Sequence, residues 1–206
     1  MCIRDSNKLK PSVTLFHFVS PEFKPAWRMI SEYALGKHKW MLTSFFLLWG
    51  LSSICLSILL WDVVESPLAK VGILFLFISG IGEIMGGLFD LKHKHHGLAF
   101  LLGVPALPVA AMILEYSLIK LEGWNNYSAI LIIASHATWI SLIIMAVAMG
   151  VMFSGLKKAG IPMSKDAPPL EKMPENVIAV SGYANRLLVL CYILWLIVIA
   201  YISLKV

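Results

Sequence analysis

Long unbroken apolar runs, rather than an alternation of apolar and polar positions, organise this chain. Trp40–Trp61, Lys70–Asp90, Gly97–Lys120, Ala129–Phe153 and Leu187–Leu204 each approach or exceed the roughly 20 residues that a helix needs to cross a bilayer. Between their ends the charged or histidine side chains are Glu83, Glu115 and His136. Strands of a membrane barrel alternate every second residue, and these runs do not. In hydrocarbon each backbone amide must be satisfied within its own segment, so the pattern predicts an all-α polytopic transmembrane bundle of five spans. The connections are short, which makes residues 40–206 one domain.

The segment ahead of the bundle is polar. Met1–Ser6 (MCIRDS) reads as an artefactual leader, and Pro11, Pro21 and Pro25 interrupt the remainder of 7–39. Val13–Val19 (VTLFHFV) is too short to span. It is expected to be the tail of a first helix, which would give the intact protein six spans. In the third span Gly103, Pro105 and Pro108 predict a kink whose freed carbonyls need partners on neighbouring helices. Trp40, Trp61, Trp124 and Tyr127 flank the spans as interfacial aromatics. Residues 154–185 hold four prolines among charges and read as a solvated connection. No internal repeat is visible, which weakens an inverted-repeat transporter.

The charge distribution orients the bundle. Of 17 Lys and Arg residues, all but Lys70, Lys120 and Lys205 fall on the side holding the N-terminal segment, the 91–96 loop and the 154–186 connection. This is a strong positive-inside bias. It predicts a multipass inner or plasma membrane protein with basic loops in the cytoplasm and the C-terminus outside. Attraction to anionic headgroups explains the net charge of +5 without nucleic acid. Membrane lipids are the expected partners, and a homo-oligomer is compatible with the composition. Three cysteines, two of them inside spans, form neither a disulfide framework nor a metal cluster.

Candidate chemistry sits on the second to fourth spans. Ser79, Glu83, Gly86 and Asp90 share one helical face, and Gly82 with Gly86 forms a small-xxx-small pair. A carboxylate within the bilayer costs about 2.5–3.5 kcal/mol, so Glu83 must face the bundle, carry a proton or have a partner. Asp90 and His96 bracket the loop and form a candidate pair at the cytoplasmic end, while His93 and His95 alternate with lysines toward solvent. Glu115 and His136 reach similar depth from their shared outer loop and form a second candidate pair. The competing pairing, His136 with Glu83, needs an axial reach of about 9 Å. A hydrogen bond from His136 to a carbonyl freed by the prolines is the plain structural alternative. Ser135 is adjacent to His136 and projects about 100° away, a poor nucleophile–base arrangement. Arg186 is placed to grip lipid phosphate or to cap Asp90. Phosphate-binding glycine loops, HExxH patterns and CxxC pairs are absent.

The stretch SPEFKPAWRMISEYALGKHKWM, the segments GIGEIMGGLFD and HHGLAFLLGVPALP, and the closing NRLLVLCYILWL resemble a bacterial and archaeal membrane family catalogued as domain of unknown function 998. The resemblance covers most of 20–206. It implies about six helices and places Ser31, Glu32, Asp90, His96 and Arg186 together at the cytoplasmic end. A looser likeness is to membrane hydrolases related to alkaline ceramidases, which bind zinc. It would give Asp90, His96 and His136 ligand roles, but the paired histidines of those enzymes' last helix are missing from 187–204.

The expectation is therefore a multipass membrane protein with a polar site between the second, third and fourth helices, handling lipid or protons. The alternatives are a small proton-coupled transporter and a metal-dependent lipid hydrolase. No cofactor is expected, and zinc would belong to the hydrolase.

Overall fold

The structure, a computed structural model, describes residues 24–162, 170 and 172–206. The leader and the Val13–Val19 stretch lie outside the described residues. Among the described residues six helices make five spans: α1 (Lys39–Trp61), α2 (Pro67–Leu88), α3 (His96–Gly103), α4 (Ala106–Leu118), α5 (Ser128–Lys158) and α6 (Ser181–Ser203), with α3 and α4 sharing one crossing. The described residues contain no strand. Ser66 starts α2 by accepting a hydrogen bond from the Ala69 N–H at 3.1 Å, with Pro67 at the first helical position. Both faces of the spans are apolar. Leu48, Ile58, Leu101, Ile133, Val147 and Ile197 point outward, while Leu76, Leu107, Leu114 and Trp195 fill the interior.

The break in the third span follows from its prolines. Pro105 and Pro108 have no N–H, so the carbonyls of Leu101 and Val104 lose their helical donors. The Tyr192 hydroxyl on α6 donates to Val104 O at 2.7 Å. Ser79 on α2 reaches Gly103 O at 2.9 Å. The kink is thus held by two other helices.

Helix α2 is central and packs against α1, α3 and α4, while α4 packs on α5 and α5 on α6. The α1–α6 contact that closes the ring is much sparser, leaving a hollow in the basic half of the bundle. A segment over 24–38, with a 3₁₀ stretch at Ile30–Leu35, straps across that end. It buries Trp27, Ile30 and Tyr33. Gly182 permits this docking, because a Cβ there would sit 2.3 Å from Pro25 O and 2.7 Å from Arg28 O.

Two boundaries differ from the hydropathy pattern. Helix α5 runs on to Lys158, and α6 begins at Ser181 rather than near Leu187. The polar residues Ser181, Asn185 and Arg186 join α6 because the strap and α5 satisfy their side chains. Hydropathy alone has no access to those partners.

Candidate functional site

The polar residues of the interior resolve into two centres at different depths, not one. The first is at Glu83, five residues from the end of α2, or about 8 Å at 1.5 Å per residue. It therefore lies in the basic half of the span rather than at its midpoint. Glu83 is 4 % exposed. Ser53 of α1 donates to its Oε2 at 2.7 Å, and Ser79 Oγ lies 2.9 Å from its Oε1. Close packing brings these groups together. A Cβ on Gly82 would lie 2.1 Å from the Gly103 backbone N, so α2 and α3 touch backbone to backbone. Gly86, the other half of the small-residue pair, meets nothing nearer than Phe46 at 3.6 Å and lines a cavity instead.

Ser79 has one proton but two contacts at 2.9 Å, to Glu83 Oε1 and to Gly103 O. If Glu83 carries a proton on Oε1, it donates to Ser79, Ser79 donates to Gly103, and Ser53 donates to Oε2. Each contact then has one donor and one acceptor. The acid form thus satisfies all three contacts at once.

Glu83 lines a cavity of about 90 Å³ bounded by α1, α2, α3, α6 and the strap. Its walls are mostly apolar and aromatic. Phe46 stacks on Trp49 at 5.6 Å between centroids, and Trp49 meets Tyr192 edge-on at 6.3 Å. Ser31, His96 and Asn185 also line it. Asn185 Oδ1 accepts from the Ile30 N–H at 2.9 Å, and His96 Nδ1 lies 2.9 Å from Phe89 O. The Trp49 indole N–H is buried without a hydrogen-bond partner.

The second centre lies toward the opposite end. Glu115 on α4 and His136 on α5 approach to 3.5 Å, Oε2 to Nδ1. His136 Nδ1 also lies 2.9 Å from Ile132 O, one turn back on its own helix. That is the local carbonyl rather than one freed by the prolines. Ser135 is fully buried and accepts from the Trp195 indole N–H at 3.0 Å. The sequence-level pairing of His136 with Glu83 does not form, since Glu83 is engaged by Ser53 and Ser79.

Two expectations are corrected at the basic end. Asp90 does not pair with His96. Its Oδ2 meets Lys39 Nζ at 3.2 Å, and its Oδ1 accepts from the Lys92 N–H at 3.1 Å. The hydrogen bond from Lys39, helped by the one from Lys92, holds the Asp90 carboxyl below the usual carboxylate range. Arg186 caps no carboxylate. Its guanidinium donates to the carbonyls of Pro25, Arg28 and Gly182 and to the Tyr33 hydroxyl, at 2.8–2.9 Å, and so fastens the strap. Glu32 likewise serves the strap, accepting from the Met29 N–H at 2.9 Å and pairing with Arg28.

The proposed zinc ligands are also held apart. Asp90 and His96 sit at the basic end, whereas His136 lies in the half of α5 near its start, toward the other end. Among the described residues no three of His, Cys, Asp and Glu gather as a metal site. The residues that sequence reasoning missed are Phe46, Trp49, Ser53 and Tyr192. Their signal was faint. A lone hydroxyl or indole in an apolar run stands out only once its helix neighbours are known.

No curated protein and no solved structure gives a match to the chain. The family described as Protein of unknown function (DUF998) matches residues 11–202, and five helices there are long and apolar enough to cross a membrane. The chain is a membrane protein that belongs to the DUF998 family.

Proposed function

We propose that this protein binds a small amphipathic molecule in the cavity between α1, α2, α3 and α6, with its polar part at Glu83. The carrying observation is the cavity itself, whose apolar and aromatic walls converge on a few polar groups. A bundle that served packing alone would fill this space, because interiors close to near-crystalline density. The positive-inside bias supports an orientation in which the cavity lies in the cytoplasmic half. The Glu115–His136 pair, 3.5 Å apart with the histidine side chain 41 % exposed, reads as a polar contact at the side of the bundle.

The test uses 10-bromodecan-1-ol, a neutral single-chain amphiphile whose bromine quenches tryptophan. Titrated into purified protein, it is expected to quench a saturable component of the fluorescence. Trp49→Phe should remove that component, and Gly86→Leu, which fills the cavity beside Phe46, should abolish saturation. Quenching that rises linearly and equally in wild type and Gly86→Leu would sink the proposal.

A further inference from the structure

We infer that the ligand's polar part is an organic ammonium ion, taken up in exchange for the proton held by Glu83. This rests on the binding reading above and names its substrate class. Three observations carry it. First, the cavity joins one buried carboxyl to an aromatic wall formed by Phe46, Trp49, Phe100 and Tyr192. Aromatic faces attract a weakly hydrated cation, most strongly where water is excluded. Second, among the described residues no lysine or arginine lines the cavity, so none of them supplies its acid with a counter-ion. Third, the Ser79 contacts fit the acid form, in which the site is neutral until a cation enters.

The groups facing Glu83 from each packed helix agree with this. From α1 comes Ser53, while Lys39 of that helix is committed to Asp90. From α3 come the Gly103 carbonyl and His96, the latter at the cavity wall with Nδ1 against Phe89 O. From α6 come Asn185 and Tyr192, whose hydroxyl is spent on Val104 O. On α4, Glu115 is turned to His136 and Tyr116 is exposed.

The exchange balances in charge. The ammonium ion enters, the Oε1 proton leaves to water at the cavity mouth, and Ser79 turns its single proton from Gly103 O to the new carboxylate. One cation replaces one proton, so the site stays neutral. A carboxylate left without its cation would bear the cost of a buried charge, which ties the two events together.

Choline tests this as a compact quaternary ammonium probe, and 3,3-dimethylbutan-1-ol is its neutral counterpart with carbon in place of nitrogen. Calorimetric titration in two buffers of different ionisation enthalpy counts the protons released. Wild type is expected to bind choline and not the alcohol, releasing about one proton per ion, with affinity rising about tenfold per pH unit until Glu83 is ionised. Glu83→Gln keeps both serine contacts, since its amide can donate to Ser79 and accept from Ser53. It should bind choline at least tenfold more weakly, with no pH dependence and no proton release. Titration in nanodiscs of phosphatidylcholine and of phosphatidylglycerol separates sources of the head: competition in the former assigns it to lipid, and equal affinity to a free ion. Equal binding of choline by Glu83→Gln and wild type would overturn the inference. Saturable bromodecanol binding without choline binding would overturn it too, while leaving the amphiphile reading in place.

Discussion

The substitution Gly82→Ala puts a methyl group where α2 has no room for one. An ideal Cβ at position 82 lies 2.1 Å from Gly103 N, 2.6 Å from its Cα and 2.6 Å from Leu102 C, all backbone atoms that cannot rotate away. Reaching ordinary contact at 3.4 Å requires α2 and α3 to separate by about 1.3 Å, the difference of the two distances. The Ser79 contact to Gly103 O, now 2.9 Å, would then stretch beyond hydrogen-bonding range. Overpacking costs about 1–3 kcal/mol, and the lost hydrogen bond adds roughly 0.5–1.5 kcal/mol. Alanine's better helix propensity offsets up to about 1 kcal/mol of this. The net expectation is destabilisation of about 0.5–3.5 kcal/mol, read by denaturant titration in micelles with tryptophan fluorescence. Gly150→Ala is the control, since nothing lies within 4 Å of its Cβ position. It should be neutral or stabilising. A Gly82→Ala protein as stable as Gly150→Ala would refute the close-contact argument.

Other perturbations probe the remaining contacts. Tyr192→Phe strands the Val104 carbonyl in the bilayer and should cost about 1–3 kcal/mol in the same assay. Arg186→Ala removes donors to three carbonyls and to Tyr33; amides of Ile30–Leu35 should then exchange with deuterium at least tenfold faster, with Arg186→Lys restoring part of the protection. Lys39→Met removes the main group that depresses the Asp90 carboxyl, so its titration, followed by carboxyl NMR, should move up toward the ordinary aspartate range. Because that carboxyl is depressed in the folded state, any stability it lends is present above the unfolded value and lost as pH falls through the folded one. The pair is exposed and contributes under about 1 kcal/mol, so the Lys39→Met stability curve should lie below that of wild type by less than this amount above the unfolded aspartate range and merge with it in acid.

Much of the architecture was legible because membrane insertion depends on local properties. Span length and uniform apolarity are visible in any window, and they located the five crossings found among the described residues. The kink was legible too, since a proline's missing N–H is a property of one residue. The site was less so, because its chemistry depends on which helices meet. Gly82 and Gly86 look equivalent in sequence, yet one touches the α3 backbone and the other faces a cavity. Arg186 looked like a lipid anchor because its partners, the carbonyls of Pro25 and Arg28, lie some 160 positions away in the chain. Asp90 found Lys39 rather than His96 for the same reason. Glu115 and His136 were an exception. A short loop between adjacent helices sets their depths, so counting residues sufficed to place them together.

The broken third span bears on how the chain is made. Val104 O is satisfied by a hydroxyl 88 residues further on. At synthesis rates of about 5–20 residues per second, roughly 4–18 s separate the two on the ribosome. During that interval the Val104 carbonyl lacks the hydroxyl that satisfies it in the folded protein, a cost that lasts until α6 is made. The broken span thus depends on α6 for its last hydrogen bond. Chains truncated before Tyr192 would carry a persistent polar defect in the bilayer, the kind of feature that membrane proteases use to select their targets.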